Sequence, residues 1–174
     1  MTTAPTITTE RADLLRVLGN HRNFLRFTAR DLTDEQAGAR PTVSELCIGG
    51  VIKHVANVER TWVRFIENGP SAFGDWDVET AGYPDRTAEF SMVEGDTLAG
   101  LLAEYEQVAA HTDELVRTLP DLDAAHPLPK APWFEAGAAW TARRVLLHVV
   151  AETSQHAGHA DIIRETLDGA KTMG

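Results

Sequence analysis

Four side chains that can bind a metal or exchange protons recur within one short stretch of the chain. His148, Glu152 and His156 lie four residues apart, and His159 follows three residues later. On an α-helix, which turns by about 100° per residue, the four side chains point within an arc of about 80°. Imidazole nitrogens and a carboxylate grouped in this way can coordinate a divalent cation.

The same helical face also carries apolar residues, which predicts that it points toward the core. Val145, Val149 and Ile163 fall on or beside the arc. Burying a carboxylate is costly unless it is neutral, paired with a cation or bound to a metal. Because imidazoles flank Glu152 one turn away on either side, we favour a divalent metal as its partner.

A third ligand is expected from a neighbouring helix, because helical bundles build metal sites from side chains on facing helices. His54 is the candidate, since it lies in the middle of another apolar stripe. The spacing alone leaves two triads open: His54 with Glu152 and His156, or His54 with His148 and Glu152. Either triad offers zinc two histidines and a carboxylate, and leaves one coordination position for water or substrate.

An explanation without a metal is a hydrogen-bond network in which Glu152 pairs with Arg143 or Arg144. We favour metal binding, because several histidines and a glutamate on one helical face, with another histidine inside a second stripe, rarely arise independently. A metal that prefers thiolates is disfavoured, since Cys47 is the only cysteine. Cys47 itself is predicted to be a small core residue.

Four amphipathic segments predict the helices that position these side chains, and no strand is predicted. The pattern is typical of an all-α four-helix bundle, with long crossover loops at 70–95 and 120–140, in a single domain over residues 1–174. The predicted helices begin after Thr8 or Thr9, at the capping-box pattern Thr42–Glu45, near Gly95–Thr97 and at Thr141, and end near Leu32, at Asn68-Gly69-Pro70, at Leu119-Pro120 and at Asp168-Gly169.

Composition excludes several classes of partner. The formal net charge is −10, which argues against nucleic acid, because phosphate binding needs a concentrated basic surface. No apolar run approaches the roughly 20 residues that cross a membrane. The lone cysteine and an N-terminus without signal-peptide features predict a cytoplasmic protein.

Two further sets of residues call for an explanation. Gly49 and Gly50 weaken the second helix by roughly 1 kcal/mol each, which predicts close approach of a neighbouring helix or a substrate channel. The tryptophans either line a pocket or pack in the core or at a subunit interface, and we favour packing. They are Trp62, Trp76, Trp133 and Trp140.

Two segments resemble the DinB-like superfamily. Residues Ser44–Trp62, SELCIGGVIKHVANVERTW, resemble its second-helix histidine motif, and Arg144–Glu165 resembles its fourth-helix motif H-x-x-x-[HE]-x-x-x-H-x-G-[QH]. Glu152 stands where many members have histidine, and in this it is similar to the branch of mycothiol-dependent maleylpyruvate isomerases.

The resemblance implies a bundle in up-down-down-up order, a homodimer, and a metal triad of His54, Glu152 and His156. It places His148 and His159 outside the triad, beside the metal or in the substrate pocket, where either could move a proton during catalysis.

The resemblance further implies a divalent metal, zinc first and nickel second, and a low-molecular-weight thiol such as mycothiol or bacillithiol as co-substrate. Coordination suits that chemistry, because it holds a thiol as thiolate at neutral pH. The implied activity is S-transfer to a small electrophile or an isomerase-like reaction. Metal-dependent hydrolysis and a non-catalytic, stress-associated metal- or ligand-binding role remain the alternatives.

Overall fold

A computed structural model describes residues 7–74 and 87–172 of the chain. These residues are mostly helical, which confirms the all-α class, and none of their helices is long and apolar enough to cross a membrane. The elements are α1 (Thr9–Thr28), α2 (Asp34–Gly38), α3 (Ile48–Asn68), α4 (Leu98–Thr118) and α5 (Ala142–Asp168), with 3-10 helices at Gly69–Phe73 and Thr87–Phe90 and strands β1 (Ala125–Pro127) and β2 (Ala139–Thr141).

Most helix ends lie where the sequence predicts them, because they are set by local capping chemistry. The hydroxyls of Thr8, Thr97 and Thr141 each accept a hydrogen bond from a first-turn amide of α1, α4 and α5. Gly69 and Gly169 follow α3 and α5 with φ values of 67° and 78°, a backbone region that favours glycine. The predicted stops after these two helices are therefore confirmed, whereas α1 ends at Thr28, four residues before the predicted Leu32.

The predicted start of the second long helix is wrong. Its capping-box pattern at Thr42–Glu45 forms bends instead, in which the Ser44 amide donates to the Thr42 hydroxyl at 3.2 Å. The helix α3 begins at Ile48, and its N-cap is Cys47, whose Sγ accepts from the Gly50 amide at 3.3 Å. Cys47 is buried, as predicted, but it caps the start of the helix rather than lying within it.

The absence of strands is also a wrong prediction, because β1 and β2 form an antiparallel pair. Ala125 is opposite Thr141, and Pro127 is opposite Ala139. Three residues are too few to show the alternation by which a strand is recognised in sequence. Since Thr141 ends β2 and also caps α5, the hairpin delivers the chain directly to the start of that helix.

Helices α3 and α5 pack against each other, and each also packs against one further long helix. Helix α1 contacts α5 and α4, while α3 contacts both α4 and α5. Two groups of buried apolar side chains fill these contacts, one around Val51, Val55 and Ile163 and the other around Leu18 and Val145.

A buried ion pair links three of the helices. Glu59 on α3 is fully buried, and its carboxylate accepts from Arg22 Nη2 on α1 at 2.5 Å and from the Thr112 hydroxyl on α4 at 2.5 Å. Burial acts to lower the pKa of Arg22, but the charges of Glu59 and Asp113 outweigh it and raise that pKa. The guanidinium therefore stays charged inside the protein.

The two glycines of α3 allow the short 3-10 helix Thr87–Phe90 and the residues after it to pack closely on α3. A Cβ atom at Gly50 would lie 1.9 Å from the Phe90 carbonyl oxygen, and one at Gly49 would lie 2.3 Å from the Met92 sulfur. The close approach predicted for this place is confirmed, and the neighbour is a short 3-10 helix rather than one of the long helices.

We expect Gly50→Ala to destabilise the protein by about 1–3 kcal/mol, because backbone would have to move to admit the methyl group. The matched control is Gly19→Ala in α1, where a Cβ would meet nothing within 4 Å. That change should stabilise by about 0.5–1 kcal/mol through helix propensity. Urea unfolding followed by far-UV circular dichroism measures both, and equal stabilities would contradict the close contact.

We expect Glu59→Ala to cost about 3–5 kcal/mol, because it leaves a buried, unpaired Arg22. Replacing both partners, Arg22→Met with Glu59→Leu, should recover most of that loss. The control is Glu106→Ala, which breaks the exposed pair with Arg26 and should cost less than about 1 kcal/mol. If Glu59→Ala unfolds at the same urea concentration as this control, the buried pair has no such role.

Candidate metal centre

The packing of α3 against α5 brings three predicted ligands together. Glu152 Oε2 lies 4.0 Å from His54 Nε2 and 3.7 Å from His156 Nε2. One ligand atom from each of the three residues lies within 4.8 Å of the other two. Both histidines are buried, and Glu152 is half-buried. Of the two triads that the spacing left open, this is the one whose atoms the structure groups.

The donor set and its spacing fit a divalent cation. Imidazole nitrogen and carboxylate oxygen bind zinc at about 2.0–2.2 Å, so two ligands of one ion lie within about 4 Å of each other. The separations of 3.7 and 4.0 Å already meet this limit. The widest separation, at most 4.8 Å, closes with side-chain movement of about 1 Å.

Glu152 is more accessible than its position on an apolar helical face predicts. Its side chain is 28% exposed, because it faces a cavity rather than the closed core. Neither arginine proposed as its partner is used in this way among the described residues. Arg143 pairs with Glu10 and Asp123, and Arg144 lies over the Trp140 ring at 4.2 Å. The predicted network of Glu152 with Arg143 or Arg144 is therefore not found among the described residues.

His148 stands beside the triad at the cavity wall. Its Nε2 lies 3.9 Å from Glu152 Oε1, and its ring meets the rings of Trp62 and Trp140 in edge-to-face contacts. Burial lowers the pKa of His148, although the charge of Glu152 opposes that shift. A neutral imidazole at neutral pH can accept a proton.

His159 lies on the other side of the triad. Its Nδ1 is 3.4 Å from His156 Nδ1, and the two rings meet edge to face. Unlike His148, it is not among the residues that line the cavity. The structure therefore separates two histidines that the sequence analysis treated alike.

Two residues that contact His54 were missed by the sequence analysis. Glu89 Oε2 lies 3.3 Å from His54 Nδ1, and the Phe90 ring stacks on the His54 ring with centroids 4.1 Å apart. Both belong to the irregular segment 70–95, which has no hydrophobic period that could assign them to a face. The only signal was indirect, in the glycines at 49 and 50 that admit this turn.

A cavity of about 810 Å³ opens in front of the triad. This volume lies in the range of small-molecule sites, about 300–1,000 Å³. The wall is rich in aromatic rings, with a few polar groups concentrated near the candidate ligands. The aromatic residues are Trp62, Phe73, Phe90, Trp133, Phe134 and Trp140, and the ionisable ones are His54, Glu89, Lys130, His148, Glu152 and His156.

The described tryptophans both pack against other side chains and line the cavity, the two roles that the sequence left open. Trp62 is buried against core residues such as Phe65, stacks on Trp140 at 4.7 Å and also faces the cavity. Trp133 is 54% exposed at the cavity wall. Trp76 lies outside the described residues.

A sequence model of the family described as Mycothiol-S-transferase matches residues 13–169. The match spans most of the 174-residue chain and includes every candidate site residue. A search of curated proteins gave no match.

Two of the cavity tryptophans provide a matched test of the packing. We expect Trp62→Ala to cost about 3–5 kcal/mol of unfolding free energy, because it removes a buried ring. Trp133→Ala should change stability by less than about 1 kcal/mol, since about half of that residue is exposed. Urea unfolding measures both changes, and similar losses for the two variants would contradict the assigned burial.

Proposed function

Because the chain belongs to the mycothiol S-transferase family within the DinB-like superfamily, we propose that it joins a low-molecular-weight thiol to a small electrophile. The observation that carries the proposal is the convergence of three ligand atoms from α3 and α5 at the wall of an aromatic cavity. Mycothiol is the first thiol to test, and bacillithiol is the second.

We assign the metal to His54, Glu152 and His156, with zinc as the preferred ion and nickel as the alternative. Two imidazoles and one carboxylate form a donor set that zinc enzymes use while keeping one position open. A divalent cation held there supplies the positive charge that keeps a thiol ionised at neutral pH. Cys47 does not compete for this position, because its Sγ is engaged at the start of α3.

In this proposal His148 is the general base that accepts the proton of the thiol. Its ring lines the cavity beside Glu152, so its Nε2 can take the proton that the thiol loses. The thiol sulfur forms the new bond to carbon, and the leaving group departs with the electron pair. An isomerase-like variant of the reaction returns the thiol by breaking the same bond. His159, which contacts His156 outside the cavity, supports the ligand set instead.

The cavity supports a co-substrate and an electrophile together. Its volume of about 810 Å³ exceeds what a single small electrophile needs, and its aromatic wall suits an apolar reacting group. Among the described residues that line the cavity, Lys130 is the one lysine or arginine, so an anionic group of either molecule would be oriented toward it.

We extend the proposal to architecture and location. The contacts of α1 with α5 and of α3 with α4 and α5 support a four-helix bundle in up-down-down-up order.

The family resemblance supports a homodimer, and the lone buried Cys47 supports a reducing compartment such as the cytoplasm. A net charge of −10 supports small molecules rather than nucleic acids as partners.

The metal and the activity are tested on protein prepared without a histidine tag. We expect about one equivalent of zinc in the wild type, and near-complete loss in His54→Ala, Glu152→Gln and His156→Ala. Conjugation of mycothiol to monochlorobimane should fall to the uncatalysed rate in the same variants. His111→Ala is the control, because His111 is exposed and pairs with Glu67 on the outside of the protein.

Each outcome separates the candidate functions. Substoichiometric metal, together with a melting temperature that chelation does not change, would contradict the metal site. Turnover of an ester without any thiol would identify a hydrolase instead. Bound metal with neither activity would identify a non-catalytic metal-binding protein.

A further inference from the structure

We propose that Glu89 is a positioning residue that sets the tautomer of His54 and thereby presents Nε2 of that ring to the metal site. The inference rests on the proposed metal site. It assigns a role to the turn Thr87–Phe90, to which the family match and the triad give none.

The two nitrogens of His54 face different carboxylates. Nδ1 lies 3.3 Å from Glu89 Oε2, and Nε2 lies 4.0 Å from Glu152 Oε2 within the triad. An ionised carboxylate can only accept hydrogen bonds, so the contact with Glu89 places the ring proton on Nδ1. The lone pair of a neutral imidazole is then on Nε2, which is the atom that a metal needs.

The ring is held in place by its neighbours, so its orientation is defined. Phe90 stacks on His54 with centroids 4.1 Å apart, and His156 meets the ring at 4.8 Å with an interplanar angle of 64°. His54 is only 2% exposed. Packing therefore selects the plane of the ring, and Glu89 selects which nitrogen carries the proton.

The turn that carries Glu89 is fastened to the helix that carries His54. The Phe90 carbonyl lies over Gly50, and it accepts from Cys47 Sγ at 3.6 Å. The distance between Glu89 and His54 is thus fixed by backbone packed on α3. Glu89 itself is 39% exposed and lines the cavity, so it does not serve as packing for the core.

The second histidine of the triad shows the same arrangement with a different partner. His156 Nε2 faces Glu152 at 3.7 Å, while its Nδ1 faces the His159 ring at 3.4 Å. Both ligand histidines thus direct Nε2 to the centre and are contacted at Nδ1. At His54 the partner of Nδ1 is a carboxylate, and such a partner increases the basicity of the coordinating nitrogen.

The test compares Glu89→Ala and Glu89→Gln with the control Glu94→Ala. Glu94 is an exposed carboxylate in the same connection, so the control removes an equal charge without touching His54. Zn²⁺ affinity is measured by competition with a chromophoric chelator. We expect Glu89→Ala to weaken affinity by about 10- to 100-fold. Glu89→Gln, which keeps an acceptor oxygen, should recover part of that loss, and Glu94→Ala should match the wild type.

A second measurement needs no metal. Nitrogen NMR of the metal-free protein should show His54 protonated at Nδ1 in the wild type and in Glu89→Gln, but not in Glu89→Ala. Wild-type Zn²⁺ affinity in Glu89→Ala, or an unchanged tautomer, would overturn the inference. An equal loss of affinity in both Glu89 variants, with a changed absorption spectrum of the Co²⁺-loaded variants, would also overturn it by making Glu89 a ligand. A wild type that binds no Zn²⁺ contradicts the proposed function, while the NMR result still decides the contact with Glu89.

Discussion

The distance between α3 and α5 is the constraint on which the candidate site depends. Glu152 and His156 share one helix, so their separation follows from helical geometry alone. His54 reaches them only because apolar side chains such as Val51 and Ile163 pack the two helices together. Since that packing involves residues other than the ligands, the protein itself holds the three donor groups near one another.

Two glutamates of this protein show how the surroundings determine the role of one residue type. Glu59 is fully buried, and Arg22 and Thr112 satisfy its oxygens within the core. Glu152 is partly exposed to a cavity, faces imidazoles and has no arginine beside it in the described part of the chain. The first carboxylate holds helices together, while the second is available to a ligand. Stability and binding are therefore supplied by different acidic groups on neighbouring helices.

Features that follow from local rules could be predicted, and features that follow from distant contacts could not. The period of α5 grouped Glu152 with its histidines, and threonine caps located the starts of three helices. The start at Ile48 was missed because a local turn satisfies Thr42 and leaves the cap to Cys47. Glu89 belongs to a segment without periodicity, so only the folded chain shows that it reaches His54. The pairing of Arg22 with Glu59 was missed because 37 residues separate the two in the chain.

The hairpin of β1 and β2 has a consequence for how this scaffold could diversify. Its loop, residues 128–138, carries Lys130, Trp133 and Phe134 to the cavity wall, while both ends of the loop are anchored by strand pairing. None of the three candidate ligands lies on this loop. Insertions or exchanges there would reshape the opening of the cavity without disturbing the helices that carry those ligands. Substrate selectivity can accordingly change through this loop, while the candidate metal ligands on α3 and α5 stay the same.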